Sequence, residues 1–160
     1  VYIFSVLPNE IYRMLYFEDI QLNVRQESTS TTLTKENIVS FAKEYDPQPF
    51  HIDEEAAKDY PFGLIASGAL TYAISLKLWN TISTETVASI GGLGIDEMRL
   101  SHPVKPGDQL RVQTYNESKR QSKSRPEYGI LVSKVNVINQ NNEIVLSYKT
   151  AALIAKRPLP

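Results

Sequence analysis

The run Ser67-Gly68-Ala69-Leu70-Thr71-Tyr72-Ala73-Ile74-Ser75-Leu76-Lys77-Leu78-Trp79 carries a single charge, Lys77. Its apolar side chains are spread around the whole helical circumference rather than along one stripe. A helix that is apolar all round is a buried helix. In a chain of 160 residues, the remaining segments must wrap it.

The wrapping material follows in sequence. Val87 to Leu100 reads as a strand interrupted by Gly91, Gly92 and Gly94, which predicts bulging or close backbone approach. Pro106-Gly107 signals a type II turn, and Leu110 and Val112 then alternate in a second strand. Tyr128, Ile130 and Val132 mark a third, where a change of phase to Val135 and Val137 predicts a bulge. Asn141-Asn142 tolerate left-handed geometry and close a hairpin onto Ile144, Leu146, Tyr148 and Ala152. The pattern predicts an α+β domain, a long curved antiparallel sheet around one central apolar helix.

Upstream, Ile20, Leu22 and Val24 alternate within Phe17 to Leu33, which predicts a strand. Thr34 is a good N-cap for a helix over Lys35 to Tyr45, although Asn37 does not complete the usual capping box. Ile38, Val39, Phe41 and Ala42 form the apolar face of that helix. Asp53 is placed to cap a short helix over Glu54 to Lys58.

Between these helices lies Tyr45-Asp46-Pro47-Gln48-Pro49-Phe50-His51. Each proline fixes its own φ and keeps the preceding residue out of helical geometry, so the segment reads as a stiff extended loop. It holds a carboxylate and an imidazole at a set distance, and an imidazole so held is a candidate proton carrier. The bland alternative is a proline-rich turn bearing a surface histidine. Asp46 also meets the negative end of the preceding helix, at a cost of about 0.3–1 kcal/mol, which a purely structural sequence would avoid.

Phe62-Gly63-Leu64-Ile65-Ala66-Ser67-Gly68 leads into the central helix. Ser67 is a candidate N-cap, which places Gly68 in the first turn, where backbone N–H groups lack intrahelical partners. A carbonyl oxygen could approach the Gly68 N–H closely, the requirement of an oxyanion hole. Close helix–sheet packing would equally call for glycine there.

Charge and composition narrow the field. With 17 basic and 18 acidic residues the net charge is −1, so no global field favours nucleic acid or an anionic membrane. The absence of cysteine removes disulfides, thiolate nucleophiles and cysteine zinc sites. No apolar run approaches the ~20 residues that span a bilayer. Val1 to Leu7 is too short and lacks the basic flank of a secretory signal. Residues 1–16 are expected to form a weakly ordered arm, and residues 17–160 a single domain in a cytoplasmic protein.

These motifs together resemble the MaoC-like dehydratases, relatives of the R-specific enoyl-CoA hydratases. The resemblance rests on Tyr45 to Asp53 and Phe62 to Gly68. It is strengthened by Gly94-Ile95-Asp96-Glu97-Met98-Arg99-Leu100 and Pro103-Val104-Lys105-Pro106-Gly107-Asp108. It implies the hot-dog fold and assembly as a homodimer or larger homo-oligomer. It also implies a catalytic pair at Asp46 and His51, an oxyanion-binding N–H at Gly68, and an acyl-CoA thioester as substrate. The pair would activate one water for addition across a 2,3-enoyl thioester, with base and acid left open between the two residues. No metal and no cofactor is expected, since the pair itself supplies the proton chemistry. Thioester hydrolysis and non-catalytic acyl-CoA binding are the alternatives, because fold alone does not choose chemistry.

Other polar residues have plainer readings. His102 is read as a surface or packing histidine. Lys119, Arg120, Lys123 and Arg125 form a solvated hairpin loop, or alternatively meet the phosphates of coenzyme A. Thr71 and Ser75 either line an acyl pocket or bond back into their own helix. Trp79 is read as core.

Overall fold

The structure is a computed structural model and describes residues 13–83 and 85–158. Most of the expected N-terminal arm lies outside these residues. Of its last part, Met14–Leu15 forms strand β1, parallel to β4 (Thr86–Val87).

Three long strands form the centre of the sheet: β6 (Gln109–Gln121), β7 (Tyr128–Ile138) and β8 (Ile144–Ala155). β5 (Ser89–Leu100) pairs with the outer side of β8. Two short strands, β2 (Gln26–Glu27) and β3 (Thr31–Thr32), pair with successive parts of β6. The sheet order is β2-β6-β7-β8-β5, antiparallel throughout.

The expected glycine irregularities are present, since β5 shifts register against β8 at Ser89/Gly91 and Gly92/Gly94. The bulge expected within β7 is absent there. Leu131, Ser133, Val135 and Val137 keep one unbroken inward phase, and the register shift falls on β6 between Asn116 and Ser118. Ile130 and Val132 are half-buried on the other face. Apolar residues on both faces of β7 thus imitate a change of phase. Gly107 takes φ +92° in the turn before β6, where Asp108 N–H donates to Lys105 O at 3.1 Å.

The segment before the first helix is not the strand its alternation predicts. Residues 17–25 run in turns and bends, with Ile20 buried while Leu22 and Val24 are exposed. Three carbonyls there, of Phe17, Glu18 and Ile20, accept from the Lys119 ammonium at 3.0, 3.3 and 2.7 Å. Phe17 covers Gly129, where a Cβ would lie 2.1 Å from the Phe17 ring. Side-chain anchoring therefore replaces ladder pairing.

Helix α1 (Lys35–Tyr45) begins at Thr34 as expected, and its cap is reciprocal after all. Asn37 N–H donates to Thr34 Oγ1, and Thr34 N–H donates to Asn37 Oδ1, both at 3.2 Å. The amide of Asn37 does the work that glutamate does in the usual box.

Central helix α4 (Gly68–Trp79) starts at Ser67, whose Oγ accepts from Ala69 N–H at 3.2 Å. Leu70 and Leu78 enter the core with Val112, Val135, Val137, Leu146 and Tyr148, each leucine contributing about 1.5–3 kcal/mol by burial. Trp79 packs against this core. The sheet wraps only one side of the helix. Ala69, Ala73 and Leu76 are exposed within the single chain. The β5 edge likewise exposes Ile90, Leu93, Ile95, Met98 and Leu100. No helix among the described residues is long and apolar enough to cross a membrane.

Candidate active site

Asp46 is the C-cap of α1, with φ −154°, and its N–H donates to Ala42 O at 2.9 Å. Gln48 is extended (ψ 143°), as a residue before proline must be. The remainder of the segment is not an extended loop. Pro49–Ile52 forms a one-turn helix, α2, with Pro49 at its first position. A ring-fixed φ suits that position and no N–H is missed there. His51 thus projects from a short helix.

A second turn, α3 (Glu54–Ala57), locks the first in place. Asp53 Oδ1 accepts from the N–H groups of Glu55 and Ala56 at 2.8 and 3.0 Å, and these bonds hold its carboxyl below the ordinary aspartate range. Lys35 of α1 pairs with Glu54 of α3. Phe50 packs edge-on against the His51 ring at 4.4 Å and against Tyr60 at 4.8 Å.

These contacts leave His51 buried and oriented. Its Nδ1 lies 2.7 Å from Ile65 O. A carbonyl can only accept, so Nδ1 carries a proton and, in the neutral ring, Nε2 is the bare acceptor. Nε2 faces Asp46 Oδ2 at 3.6 Å. Ser67 Oγ donates to that same Oδ2 at 2.6 Å. Two acceptors therefore face one another at a separation that one water bridges by donating to both.

Gly68 occupies the first position of α4, and among the described residues no protein acceptor faces its N–H. A Cβ there would lie 2.6 Å from Leu100 Cδ1, so close helix–sheet approach by itself accounts for glycine at this position. The site brings Asp46, His51 and the start of α4 together through Ser67.

The remaining polar candidates lie elsewhere. His102 is exposed, with Nδ1 2.9 Å from Ile144 O. Lys119 is committed to the carbonyls of residues 17–20. Thr71 donates to Ser67 O, and Ser75 donates to Tyr72 O while 2.9 Å from Tyr148 OH. Both are buried core residues rather than pocket lining. Among the described residues no three His, Asp or Glu side chains converge as metal ligands.

Sequence reasoning missed two members of the site, the Ile65 carbonyl and the Ser67–Asp46 hydrogen bond. Ser67 was visible as a cap, but nothing local signals what its hydroxyl proton meets.

An antiparallel sheet curved over one face of a central helix, with an acid and a histidine poised beside the helix start, defines a hot-dog-fold protein of the dehydratase type. The model of the MaoC like domain matches residues 19–137, and the chain belongs to that family. It is 36% identical over 131 residues to the uncharacterised protein YdeM of Bacillus subtilis (strain 168), covering 81% of this chain and 92% of YdeM. The crystal structure of a MaoC-like dehydratase from Rhodospirillum rubrum superposes with a TM-score of 0.83 at 38% identity. That match covers 91% of this chain and 99% of the other. The unliganded R-hydratase PhaJ1 from Pseudomonas aeruginosa shares the fold, with a TM-score of 0.69 at 20% identity over 91% of this chain and 93% of the other. Family and neighbours support hydratase or dehydratase chemistry.

Proposed function

We propose that this protein adds water to, or removes it from, 2-enoyl-CoA thioesters. The observation that carries the reading is the His51 Nε2 to Asp46 Oδ2 separation of 3.6 Å between two oriented acceptors. One water held there has both its protons directed at bases and its oxygen free to attack. As the oxygen bonds to C3, the C2–C3 π bond opens and charge moves to the thioester oxygen. The Gly68 N–H, unclaimed by protein, is the donor for that oxygen. One member of the pair takes the proton released by the water, and a proton returns to C2. Dehydration is the same path reversed.

A second copy of the chain would complete the enzyme. β5 is an unpaired edge with five exposed apolar side chains, next to the open face of α4. Such an edge is a liability for a lone chain and a template for pairing. A homodimer would cover both surfaces and enclose the start of α4 beside Leu100. The coenzyme A thioester is substrate, and the chemistry requires no further cofactor.

Crotonyl-CoA hydration, followed as loss of enoyl absorbance, tests the function. Wild-type protein is expected to turn over, and Asp46→Asn and His51→Ala each to lose about 10²–10⁴-fold in kcat. Free-thiol release without hydration would indicate a thioesterase. Thermal stabilisation by acyl-CoA without any turnover would indicate a binding subunit.

A further inference from the structure

We infer that the groove between α1 and α4 receives the acyl tail, and that Lys77 at its far end selects tails terminating in a carboxylate. The inference rests on the enoyl-thioester reading above.

The two helices run antiparallel. Ser67 Oγ meets Asp46 Oδ2 where α4 begins and α1 ends. The opposite end is marked by Thr29 Oγ1 and Thr81 Oγ1, 3.2 Å apart. Between these markers lies a groove of about 360 Å³. From Ser67, the α4 residues Leu70, Ile74 and Lys77 follow at three- and four-residue spacing on one face, and all three line the groove. At about 1.5 Å rise per residue, Lys77 stands roughly 15 Å along the axis from Ser67.

The lining changes character along its length. Leu33, Phe41, Leu70 and Ile74 supply an apolar surface, and Asn37 and Ser40 a polar rim. Two charges line the groove. Glu44 is near the catalytic end, two residues before Asp46, and repels an anion there. Lys77 is at the distal end and is the sole charge of α4. Among the described residues no carboxylate lies within ion-pair distance of Lys77, although seven other Lys or Arg to Asp or Glu contacts are formed. An unpaired ammonium at the end of an apolar channel complements a terminal anion, with the lysine stem lying along the channel wall.

The direction of the substrate decides which of its arms enters. Gly68, which would hold the thioester oxygen, is covered on its Cα side by Leu100 of β5. Asp46, which would address C2 and C3, adjoins Tyr45 at the groove. A chain running from carbonyl to C3 therefore continues past Asp46 into the groove, while the coenzyme arm leaves on the β5 side.

The test compares 2-octenedioyl-CoA with 2-octenoyl-CoA, a pair differing in a terminal carboxylate against a methyl group. Wild-type protein is expected to favour the dicarboxylic substrate by about five-fold in kcat/KM, the scale of a partly exposed ion pair. K77Q is expected to abolish the preference and K77E to invert it. Equal kcat/KM values for the pair, or an unchanged ratio in K77Q, would overturn the selection while crotonyl-CoA hydration left the hydratase reading standing. Absence of hydration with every enoyl-CoA would bring down both. N-acetylcysteamine thioesters of the same acids provide the last arm. If K77Q weakens both coenzyme A thioesters equally and neither N-acetylcysteamine thioester, Lys77 reads coenzyme phosphates and the inference fails.

Discussion

Ser67 donates a 2.6 Å hydrogen bond to Asp46 across 21 residues of sequence, and the same oxygen accepts from Ala69 N–H at the start of α4. One hydroxyl thus caps the central helix with its lone pair and orients the carboxylate with its proton. The carboxylate is held against the helix whose first N–H groups would bind the substrate carbonyl. Without Ser67, Asp46 would keep its backbone position but lose the only side-chain donor fixing Oδ2 among the described residues.

Ser67→Ala is therefore expected to reduce kcat on crotonyl-CoA by about 10–100-fold, as lost orientation of a general acid–base group, with a smaller change in KM. Loss of the cap should lower stability by about 1 kcal/mol. Steady-state kinetics and thermal denaturation of the same preparation check both parts. An unchanged kcat alongside a lowered Tm would mean that Ser67 is only a cap.

The exposed β5 edge makes a prediction about assembly. Leu93 is 54% exposed on that strand, and a charge at an apolar interface core is poorly tolerated. Leu93→Glu should convert a wild-type dimer to monomer in sedimentation-velocity runs at micromolar concentration. Hydration activity should fall with it. A wild-type protein that sediments as a monomer would remove the basis for pairing through β5.

Tyr148 predicts an alkaline limit to stability. It is 1% exposed, and burial pushes its hydroxyl up to about 12 even though Ser75 opposes the shift. The unfolded phenol ionises near 10, so between about pH 10 and 12 the unfolded state releases a proton that the folded state retains. Stability falls across that window. A shift of this size corresponds to about 2–3 kcal/mol. Urea midpoints measured from pH 8 to 12 should decline above pH 10, and Tyr148→Phe should decline less steeply.

Several local features were open to reading in the chain itself. Thr34 and Ser67 begin their helices because short hydroxyl side chains satisfy N–H groups a few residues away. The prolines 47 and 49 restrict Asp46 and Gln48 by contacts with adjacent backbone. What proline could not convey was that Pro49 would open a helix, since its φ suits an extended chain and a first helical turn equally. The false strand at residues 17–25 has a similar origin. Alternation there matched a ladder, but the Lys119 ammonium, about a hundred residues away, claimed the carbonyls instead.

The same division holds for the site. Local pattern alone determined the apolar central helix, the antiparallel strands and the close pairing of Asp46 with His51, because all depend on spacing within a few residues. Tertiary structure decided that Ile65 O fixes the His51 tautomer, that Ser67 aims Asp46, and that α1 and α4 enclose a groove ending at Lys77. It also decided that the sheet covers one side of α4 and leaves Ala69, Ala73 and Leu76 open. Hydrophobic periodicity records that a surface must leave water, and says nothing of what will cover it. Hydrogen bonds between distant segments likewise leave no trace in spacing, because the partner is chosen by how the sheet folds back over the helix.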